Sequence, residues 1–320
     1  MSAHPHLAAF SFDIEDWYHS QLIPDSARAG PGQSVVRAGT ERILDLLARH
    51  RVRGTFFMLG SVVREHPDLV RRMVEAGHEI GCHGMDHEPL WKLDPESFRR
   101  ELRDFRAAVE AALGSFPVAG YRAPTFSLDR STAWALPVLR EEGYAYDSSI
   151  FPVRVRRYGV PGAPVGIYRP AEHDLARHDP AGALVEFPVA VSEWGPVRLP
   201  VGGGFYLRAL PFGLFRLSLD RILRHRPFAL YLHPREASPE GRRLPLDPVD
   251  GFITYVNLDT VMGKLDLLLG RYAFAPMREI LEREGHLPGR AAANGASASA
   301  ASATGPGAVG AARAAHPARP

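Results

Sequence analysis

Two histidines, His83 and His87, stand four positions apart directly after a short apolar segment that ends at Cys82. Neutral imidazole rings are frequent Zn²⁺ ligands, and a catalytic zinc site usually adds a carboxylate and keeps one position open for water. Four positions correspond to one helical turn, so both rings would point the same way if the chain coils at this place. Because such a spacing also arises by chance, the pair indicates half of a metal site only if other residues supply a third ligand, a base and an acid.

Titratable or ionic side chains stand at the ends of six apolar segments. They are Asp13 with Glu15 and Asp16, His83 with His87, Arg122, Asp147, Glu186 and His233. In a (β/α) barrel the carboxyl ends of the strands face one common mouth, where the loops converge. Each residue alone could be a helix cap, a surface charge or part of a turn, but six corresponding positions together predict one functional site.

These residue types suggest a division of labour in that site. His83, His87 and one carboxylate after the first segment would bind a metal ion, which polarises a carbonyl group and lowers the pKa of a bound water. A second carboxylate would act as general base, and His233 could protonate the leaving group. Arg122 would orient the base through its planar guanidinium. The combination predicts metal-assisted hydrolysis of an ester or an amide.

Apolar segments alternate with amphipathic helical segments about seven times along the chain. The predicted strands cover residues 7–14, 53–59, 78–82, 117–122, 144–147, 184–189 and 228–232. Helical spacing of apolar residues is found at 35–50, 61–77, 94–113, 129–142, 211–224, 258–270 and 276–283. This alternation predicts an α/β fold with a parallel sheet, either open or closed into a barrel.

Two stretches depart from the alternation. Residues 148–183 are rich in Pro, Gly and Arg, and a loop of that length inside a compact domain is usually functional or disordered. Residues 290–320 consist mostly of Ala, Gly, Ser and Pro, so they cannot bury enough apolar surface to order themselves. We therefore expect one domain over residues 1–289, followed by a disordered tail over 290–320.

Overall composition excludes several classes of function. Lys plus Arg outnumber Asp plus Glu by 38 − 36 = 2, which gives no electrostatic case for binding nucleic acid. The single cysteine, Cys82, rules out an intramolecular disulfide, and we expect it to be a packed strand residue rather than a metal ligand. The sequence contains no stretch of 18 apolar residues, so we expect no membrane-spanning helix. Because the N-terminus lacks the pattern of a secretory signal, we expect a cytoplasmic protein. The sequence does not indicate an oligomeric state.

Four short motifs resemble those of the polysaccharide deacetylases, known as carbohydrate esterase family 4 or the NodB-homology fold. They occur in the family's order and on matching elements over roughly residues 7–285. The motifs are Phe12-Asp13-Ile14-Glu15-Asp16, His83-Gly84-Met85-Asp86-His87, Arg122-Ala123-Pro124 and Leu232-His233-Pro234.

The resemblance implies a distorted (β/α)7-type barrel, a divalent ion and the removal of acetyl groups from N-acetylated sugars. The ion would most often be Zn²⁺, with Co²⁺, Ni²⁺ or Mn²⁺ as alternatives. By motif position, Asp13 would be the base, His83 and His87 metal ligands, Arg122 the partner of the base, and His233 the acid.

The first motif departs from the common family pattern, which has two adjacent aspartates. A related sub-branch uses Asp-x-Asp, which would make Glu15 the metal carboxylate, and strand alternation puts positions 13 and 15 on one face. If the strand ends at Ile14, Asp16 could be presented instead. The resemblance therefore favours Glu15 over Asp16. A further family motif with an acid and a tryptophan has only a loose candidate in Glu193-Trp194.

Four other segments resemble the branch encoded with exopolysaccharide and exosortase loci, which carries an extra C-terminal segment, here from about residue 235. They are Asp13-Ile14-Glu15-Asp16-Trp17, Tyr146-Asp147-Ser148-Ser149, Gly202-Gly203-Gly204 and Arg271-Tyr272-Ala273-Phe274-Ala275-Pro276-Met277. That branch implies an N-acetylated exopolysaccharide, or its lipid-linked precursor, as substrate. An allantoinase-like hydrolase of small cyclic amides and an inactive carbohydrate-binding protein are the alternatives. Five aromatic residues could stack on sugars or belong to the core, namely Trp17, Tyr18, Trp91, Phe205 and Tyr206.

Overall fold

The computed structural model describes residues 4–20, 23, 34–182, 184–238 and 243–289. Its twelve strands are β1 (Ala8–Ile14), β2 (Thr55–Met58), β3 (Glu79–Cys82), β4 (Gly120–Tyr121), β5 (Tyr146–Asp147), β6 (Pro170–Ala171), β7 (Asp174–His178), β8 (Val185–Glu186), β9 (Val191–Trp194), β10 (Val197–Pro200), β11 (Phe228–Leu232) and β12 (Phe274–Ala275). The expected tail over 290–320 and residues 24–33 lie outside the described residues.

Seven strands form a curled parallel sheet in the order β11-β1-β2-β3-β4-β5-β8. Single bridges, from Val189 to Ala229 and from Gly203 to Tyr231, connect the chain beyond β8 back to β11. The predicted distorted (β/α)7-type barrel is therefore confirmed. Every residue of β1 is buried, which is expected for a parallel strand covered on both faces.

Ten α-helices surround and cap this sheet in the described part of the chain. They are α1 (Val36–His50), α2 (Gly60–Glu65), α3 (Pro67–Glu75), α4 (Pro95–Leu113), α5 (Ala135–Glu141), α6 (Gly204–Ala209), α7 (Phe212–Leu223), α8 (Pro248–Tyr255), α9 (Val261–Arg271) and α10 (Met277–Arg283). The prediction of one helix over 61–77 was wrong, because His66 leaves the helical conformation before Pro67. The helix predicted over 129–142 is confined to α5.

The C-terminal elements close the barrel at the end opposite the mouth. Strand β12 pairs with Ala8 and Ala9 of β1, before β2 begins to pair with β1 at Ser11. Helix α10 follows β12, and its residues Met277, Ile280 and Leu281 pack in a hydrophobic cluster beneath the sheet. The sheet contributes Ala9, Phe57, Tyr146 and Phe187 to this cluster.

The stretch between β5 and β11, predicted as a long loop in its first part, contains two hairpins. Strands β6 and β7 form one antiparallel pair and β9 and β10 form the other. Helices α6 and α8, neither of them predicted, lie in the second half of the chain. Within the described ranges, none of the helices combines the length and the apolar character needed to cross a bilayer.

Candidate active site

A cavity of about 360 Å³ opens at the carboxyl ends of the barrel strands. Its lining includes Asp13, Glu15, His83, His87 and His233, which therefore meet in one place as predicted for a common mouth. These residues come from the ends of three strands, β1, β3 and β11, which are separated widely in sequence but neighbours or near neighbours in the sheet.

Three buried side chains, Glu15, His83 and His87, form a compact group of possible metal ligands. One ligand atom from each lies within 4.8 Å of the others. Oε2 of Glu15 is 2.5 Å from Nε2 of His87 and 3.8 Å from Nε2 of His83. Burial raises the pKa of the Glu15 carboxyl, but the neighbouring His87, His83 and His233 outweigh it and hold that pKa well below its usual value.

The donor atoms of this group fit a divalent ion. Nδ1 of His83 lies 2.8 Å from the carbonyl oxygen of Arg122, which can only accept, so Nδ1 carries the proton and Nε2 presents a lone pair. That lone pair faces the carboxylate of Glu15, and two acceptors in a buried site need a cation between them. Two imidazole nitrogens and one carboxylate are a ligand set typical of catalytic zinc.

The two histidines converge through a turn and not through a helix. Gly84 and His87 both have positive φ angles, of 82° and 64°, and the segment between them has no helical hydrogen bonding. Backbone bonds from Gly60 and Ser61 to the carbonyls of Gly84 and Met85 hold this turn, with N···O distances of 3.0 and 3.1 Å. The coiled conformation considered for this pair in the sequence is therefore not the one adopted.

Asp13 is paired with Arg122 in the interior of the site. Nη1 of Arg122 donates to Oδ1 of Asp13 at 2.7 Å and to Oγ of Ser11 at 2.8 Å. The rest of the guanidinium bonds to the backbone and side chain of Ser148, and its carbon lies 4.2 Å from the ring centre of Phe57. Because Arg122 is fully buried and bound on every side, it holds the Asp13 carboxylate in one orientation.

His233 also lines the cavity, and the carboxylate of Glu236 lies beside its ring. Its Nε2 is 3.5 Å from Oε1 of Glu15, and its Nδ1 is 3.5 Å from Oε2 of Glu236. Burial lowers the pKa of His233, but the carboxylates of Glu236 and Glu15 raise it by more than burial lowers it. The pKa therefore lies above its usual value. Glu236 has a pKa of about 2, since Arg208 and His233 overcome the effect of its burial.

Arg208 anchors Glu236. Its Nε donates to Oε1 of Glu236 at 3.0 Å, and both side chains are buried. The remaining donors of Arg208 bond to backbone carbonyls at the C-terminal end of α8, those of Ile253, Thr254 and Val256.

Asp16 does not join the group of possible ligands. Its Oδ1 accepts from the backbone N–H of Trp17 at 2.8 Å and of Val35 at 3.2 Å, while its own N–H donates to Nδ1 of His19. The carboxylate thus caps the short 3₁₀ turn Trp17–His19. Of the two carboxylates left open by the sequence, Glu15 is the one that lies beside the histidines.

Asp147 and Glu186, the other strand-end carboxyls, do not line the cavity. Both are fully buried, and burial raises the pKa of each. Asp147 accepts from the hydroxyl of Ser149 at 2.5 Å, and Glu186 accepts from the N–H of Ile150 at 3.0 Å. They hold the chain that follows β5, and so support the Ser148 contacts to Arg122 from outside the site.

Among the five aromatic candidates, only Phe205 and Tyr206 line the cavity. Trp17 and Tyr18 belong to a separate hydrophobic cluster, and Trp91 lies on the surface with 46% of its area exposed. Cys82 is fully buried in β3, and burial raises the pKa of its thiol to about 12, as expected for a packed strand residue.

Glu193 and Trp194 lie away from the cavity. They belong to the β9–β10 hairpin, where the Trp194 ring faces the guanidinium of Arg221 with its carbon 5.3 Å from the ring centre. The loose match to a family motif therefore has no counterpart at the site.

Several cavity residues carried little signal in the sequence. Glu236 could have been suspected, since it follows His233 by three positions and a Pro-led 3₁₀ turn brings i and i+3 side chains together. Four arginines that line the cavity were also missed, and all of them follow β5 in the sequence. They are Arg156, Arg157, Arg208 and Arg235.

Comparison with known families divides the chain into two segments. Residues 28–146 match the family described as polysaccharide deacetylase, and residues 148–282 match a family described as a domain of unknown function, DUF3473. Strand β1, with Asp13 and Glu15, precedes both segments.

Two curated relatives are each similar to about a third of the chain. The chitooligosaccharide deacetylase of Rhizobium leguminosarum bv. trifolii is 41% identical over 100 residues, which are 31% of this chain and 43% of the relative. The peptidoglycan-N-acetylglucosamine deacetylase of Listeria monocytogenes is 36% identical over 113 residues, 35% of this chain and 23% of the relative. The chain spans less than half the length of either relative.

One solved structure is similar over nearly the whole chain. It is a Mycobacterium smegmatis protein assigned as a polysaccharide deacetylase, with a TM-score of 0.57 and 24% sequence identity. The match covers 90% of this chain and 94% of that protein, so the shared fold includes both family segments.

Proposed function

The chain belongs to the polysaccharide deacetylase family, and on that premise we propose that it hydrolyses N-acetyl groups of a polysaccharide, or of its precursor, with a divalent ion. The observation that carries this proposal is the meeting of three functional groups in one cavity. They are a His–His–Glu ligand set, a buried Asp–Arg pair and a histidine oriented by a carboxylate.

Glu15, His83 and His87 would hold the ion, with Zn²⁺ favoured by the ligand set and Co²⁺, Ni²⁺ or Mn²⁺ as alternatives. When bound, the ion would polarise the acetyl carbonyl and make a water easier to deprotonate. Asp16 is left out of this assignment, because its carboxylate already caps a turn.

The protein's own side chains supply the proton transfers. Asp13, held by Arg122 at 2.7 Å, accepts a proton from the water whose oxygen attacks the carbonyl carbon. His233, oriented by Glu236, donates a proton to the nitrogen as the carbon–nitrogen bond breaks. The products are acetate and the free amine of the sugar.

This function predicts separate effects on metal content and on rate. Asp13→Asn should reduce acetate release from N-acetylated glycans by ~10²–10⁴-fold, the usual contribution of a general base, and retain the metal. His83→Gln should lose the metal. The matched control is Asp45→Asn, which removes a carboxylate from a surface pair with Arg72 and should change neither quantity.

The measurements are metal content of the purified protein and acetate release from a panel of N-acetylated glycans alongside cyclic ureides. Absence of a bound divalent ion, together with no stimulation by Zn²⁺ or Co²⁺, would contradict the metal-assisted mechanism. Hydrolysis of the ureides in place of the glycans would support the cyclic-amide alternative.

A further inference from the structure

Three arginines of the active-site cavity take no part in the proposed chemistry. Arg156, Arg157 and Arg235 line the same cavity as Glu15 and the two metal-binding histidines. We call these three residues the cationic wall.

The three arginines of the cationic wall outnumber the carboxylates that form ion pairs with them. Arg156 and Arg157 share a single carboxylate, that of Asp250 in α8, at 2.6 and 3.1 Å. Glu236, the acid closest to Arg235 in sequence, is already engaged by Arg208 at 3.0 Å. Two of the three guanidinium charges are therefore not matched by these acids.

Arg235 carries one of these two unmatched charges. Within the described part of the chain, its side chain makes one hydrogen bond, from Nη2 to the carbonyl of Thr254 at 2.7 Å. Burial lowers the pKa of Arg235, which reflects the cost of holding this charge away from water. A neutral carbonyl offsets little of that cost, whereas an anion would offset much more of it.

Arg208 provides a contrast in the same cavity. Its guanidinium bonds to Glu236 and to three backbone carbonyls, so its donors are used within the protein. The planar fork of Arg235 has donors left for a ligand, and such a fork suits the oxygens of a carboxylate or a phosphate.

Resting on the proposed deacetylase function, we propose that the cationic wall binds an anionic oxygen group on the same glycan that presents its acetamido group to Glu15, His83 and His87. The substrate class is thus an N-acetylated glycan with a carboxylate or phosphate close to the acetylated sugar. A neutral N-acetylglucosamine oligomer offers this wall only hydroxyl and carbonyl oxygens, whose hydrogen bonds to a guanidinium are weaker than those of an anion.

Two matched pairs of substrates test the proposal with the zinc-loaded protein. The first pair is a tetrasaccharide of alternating N-acetylglucosamine and glucuronate, compared with its carboxyl methyl ester. The second is N-acetylglucosamine 1-phosphate, compared with the neutral methyl glycoside. In at least one pair, kcat/KM for acetate release should be ~10-fold or more higher for the anionic member, as one charge-assisted hydrogen bond allows. The pair that responds identifies carboxylate or phosphate as the recognised group.

Substitutions then connect the preference to the cationic wall. Arg235→Gln should remove most of the preference for the anionic member, measured as the ratio of kcat/KM between the two members of a pair. The double substitution Arg156→Gln with Arg157→Gln changes a more exposed part of the wall, so it tests the same point if Arg235→Gln disturbs folding. The matched control is Arg224→Gln on the exposed C-terminal end of α7.

Binding separates this proposal from the catalytic one. Calorimetry with the Asp13→Asn protein should show tighter binding of the anionic member, weakened by Arg235→Gln, whether or not acetate is released. Equal binding and equal kcat/KM within both pairs would overturn the anionic assignment and leave the deacetylase function standing. Preferential binding without acetate release from any substrate would support the cationic wall and contradict the deacetylase function.

Discussion

Glu15 and Asp16 are adjacent carboxylates with different surroundings. Strand β1 ends at Ile14, and the next residue turns its carboxylate toward His83 and His87, whereas Asp16 turns toward backbone N–H groups of the following turn. Composition and spacing could not separate these two acids, because either can follow the end of a strand. The distinction depends on where Val35 lies, and that is set by the folded chain.

Substitutions of these two carboxylates should affect different properties, zinc affinity for Glu15 and stability for Asp16. Glu15→Gln should weaken Zn²⁺ binding by more than ~100-fold, since loss of even an indirect contact to a ligand costs up to that factor. Asp16→Ala should leave zinc affinity unchanged and lower the free energy of unfolding by ~1 kcal/mol, the usual value of a helix cap. Competition with a chromophoric chelator and urea unfolding measure the two quantities. Loss of zinc from the Asp16 variant with intact Glu15 would reverse the assignment.

At the level of single elements, the sequence predicted the strands that carry the site more accurately than their loops. Strand β11 was predicted with the same bounds as in the structure, and β1 and β3 to within one residue, because each is a buried apolar segment with a polar end. The turn of residues 83–87 was not predictable from spacing. Its shape depends on two positive φ angles and on contacts to residues 60 and 61.

The two hairpins and helix α6, which lie between β5 and β11, were missed for a different reason, whereas α7 in the same stretch was predicted over 211–224. Strand β10 is partly exposed, and β6 has only two residues, so neither shows a strong hydrophobic pattern. The cationic wall and Arg208 lie in or after this stretch. Their position at the cavity follows from long-range contacts such as Arg156 to Asp250, which local sequence does not encode.

The turn that carries the histidines should be sensitive to its glycine. Gly84 has φ of 82°, and a Cβ there would lie 3.3 Å from Oε2 of Glu101 and 3.5 Å from Cγ of Pro124. Gly84→Ala should therefore lower the free energy of unfolding by ~1–2 kcal/mol through the left-handed backbone, and also weaken zinc binding. Gly143→Ala is the matched control, since Gly143 has the same φ and open space around its Cα. It should show only the loss of stability, and equal zinc affinities in the two variants would contradict a strained metal-binding turn.

We expect the stability of the protein to depend on pH through His78, the residue that precedes β3. His78 is buried, and burial with the nearby Arg53 charge lowers its pKa to about 4. Its Nδ1 accepts from the N–H of Gly54 at 3.1 Å, which requires the neutral ring. Between pH 6.5 and 4 the His78 ring binds a proton in the unfolded chain but not in the folded chain. The contribution of His78 to the free energy of unfolding is therefore lost as the pH falls.

Urea unfolding at pH 7 and pH 4.5 measures this effect. Relative to the wild-type protein, His78→Gln should lose ~2 kcal/mol less stability over this interval, because its side chain does not titrate. His225→Gln replaces an exposed histidine and should leave the difference unchanged. Identical pH dependence in the wild type and the His78 variant would contradict the role of this residue.

On the scale of the whole molecule, the two family segments form one barrel. Strands β2 to β4 lie in the first segment, which ends within β5, while β8 and β11 lie in the second. Strand β1 pairs with strands from both segments. Asp13 and Glu15 precede the first segment, and His233 with Glu236 lies in the second. The lining of the cavity therefore includes residues before the first segment and from both segments, and we propose that residues 1–289 form a single catalytic unit.

Two truncations test that unit and its boundary. A chain ending at residue 289 should keep the thermal midpoint and activity of the full-length protein. A chain ending at residue 272 lacks β12 and α10, and with them the fully buried side chains of Met277, Ile280 and Leu281. Burial of three such side chains contributes roughly 5–9 kcal/mol, which is comparable to the whole stability of a typical domain.

The shorter chain should therefore show no cooperative unfolding transition by circular dichroism. Removing α10 also takes away the N–H of Arg278, which donates to the buried carboxyl of Glu79 at 3.1 Å. That carboxyl would keep only the hydroxyls of Thr55 and Tyr146 as partners at an end of the barrel now open to water. A cooperative transition near the full-length midpoint would mean that the barrel closes without its C-terminal segment, and the unit would then end before residue 273.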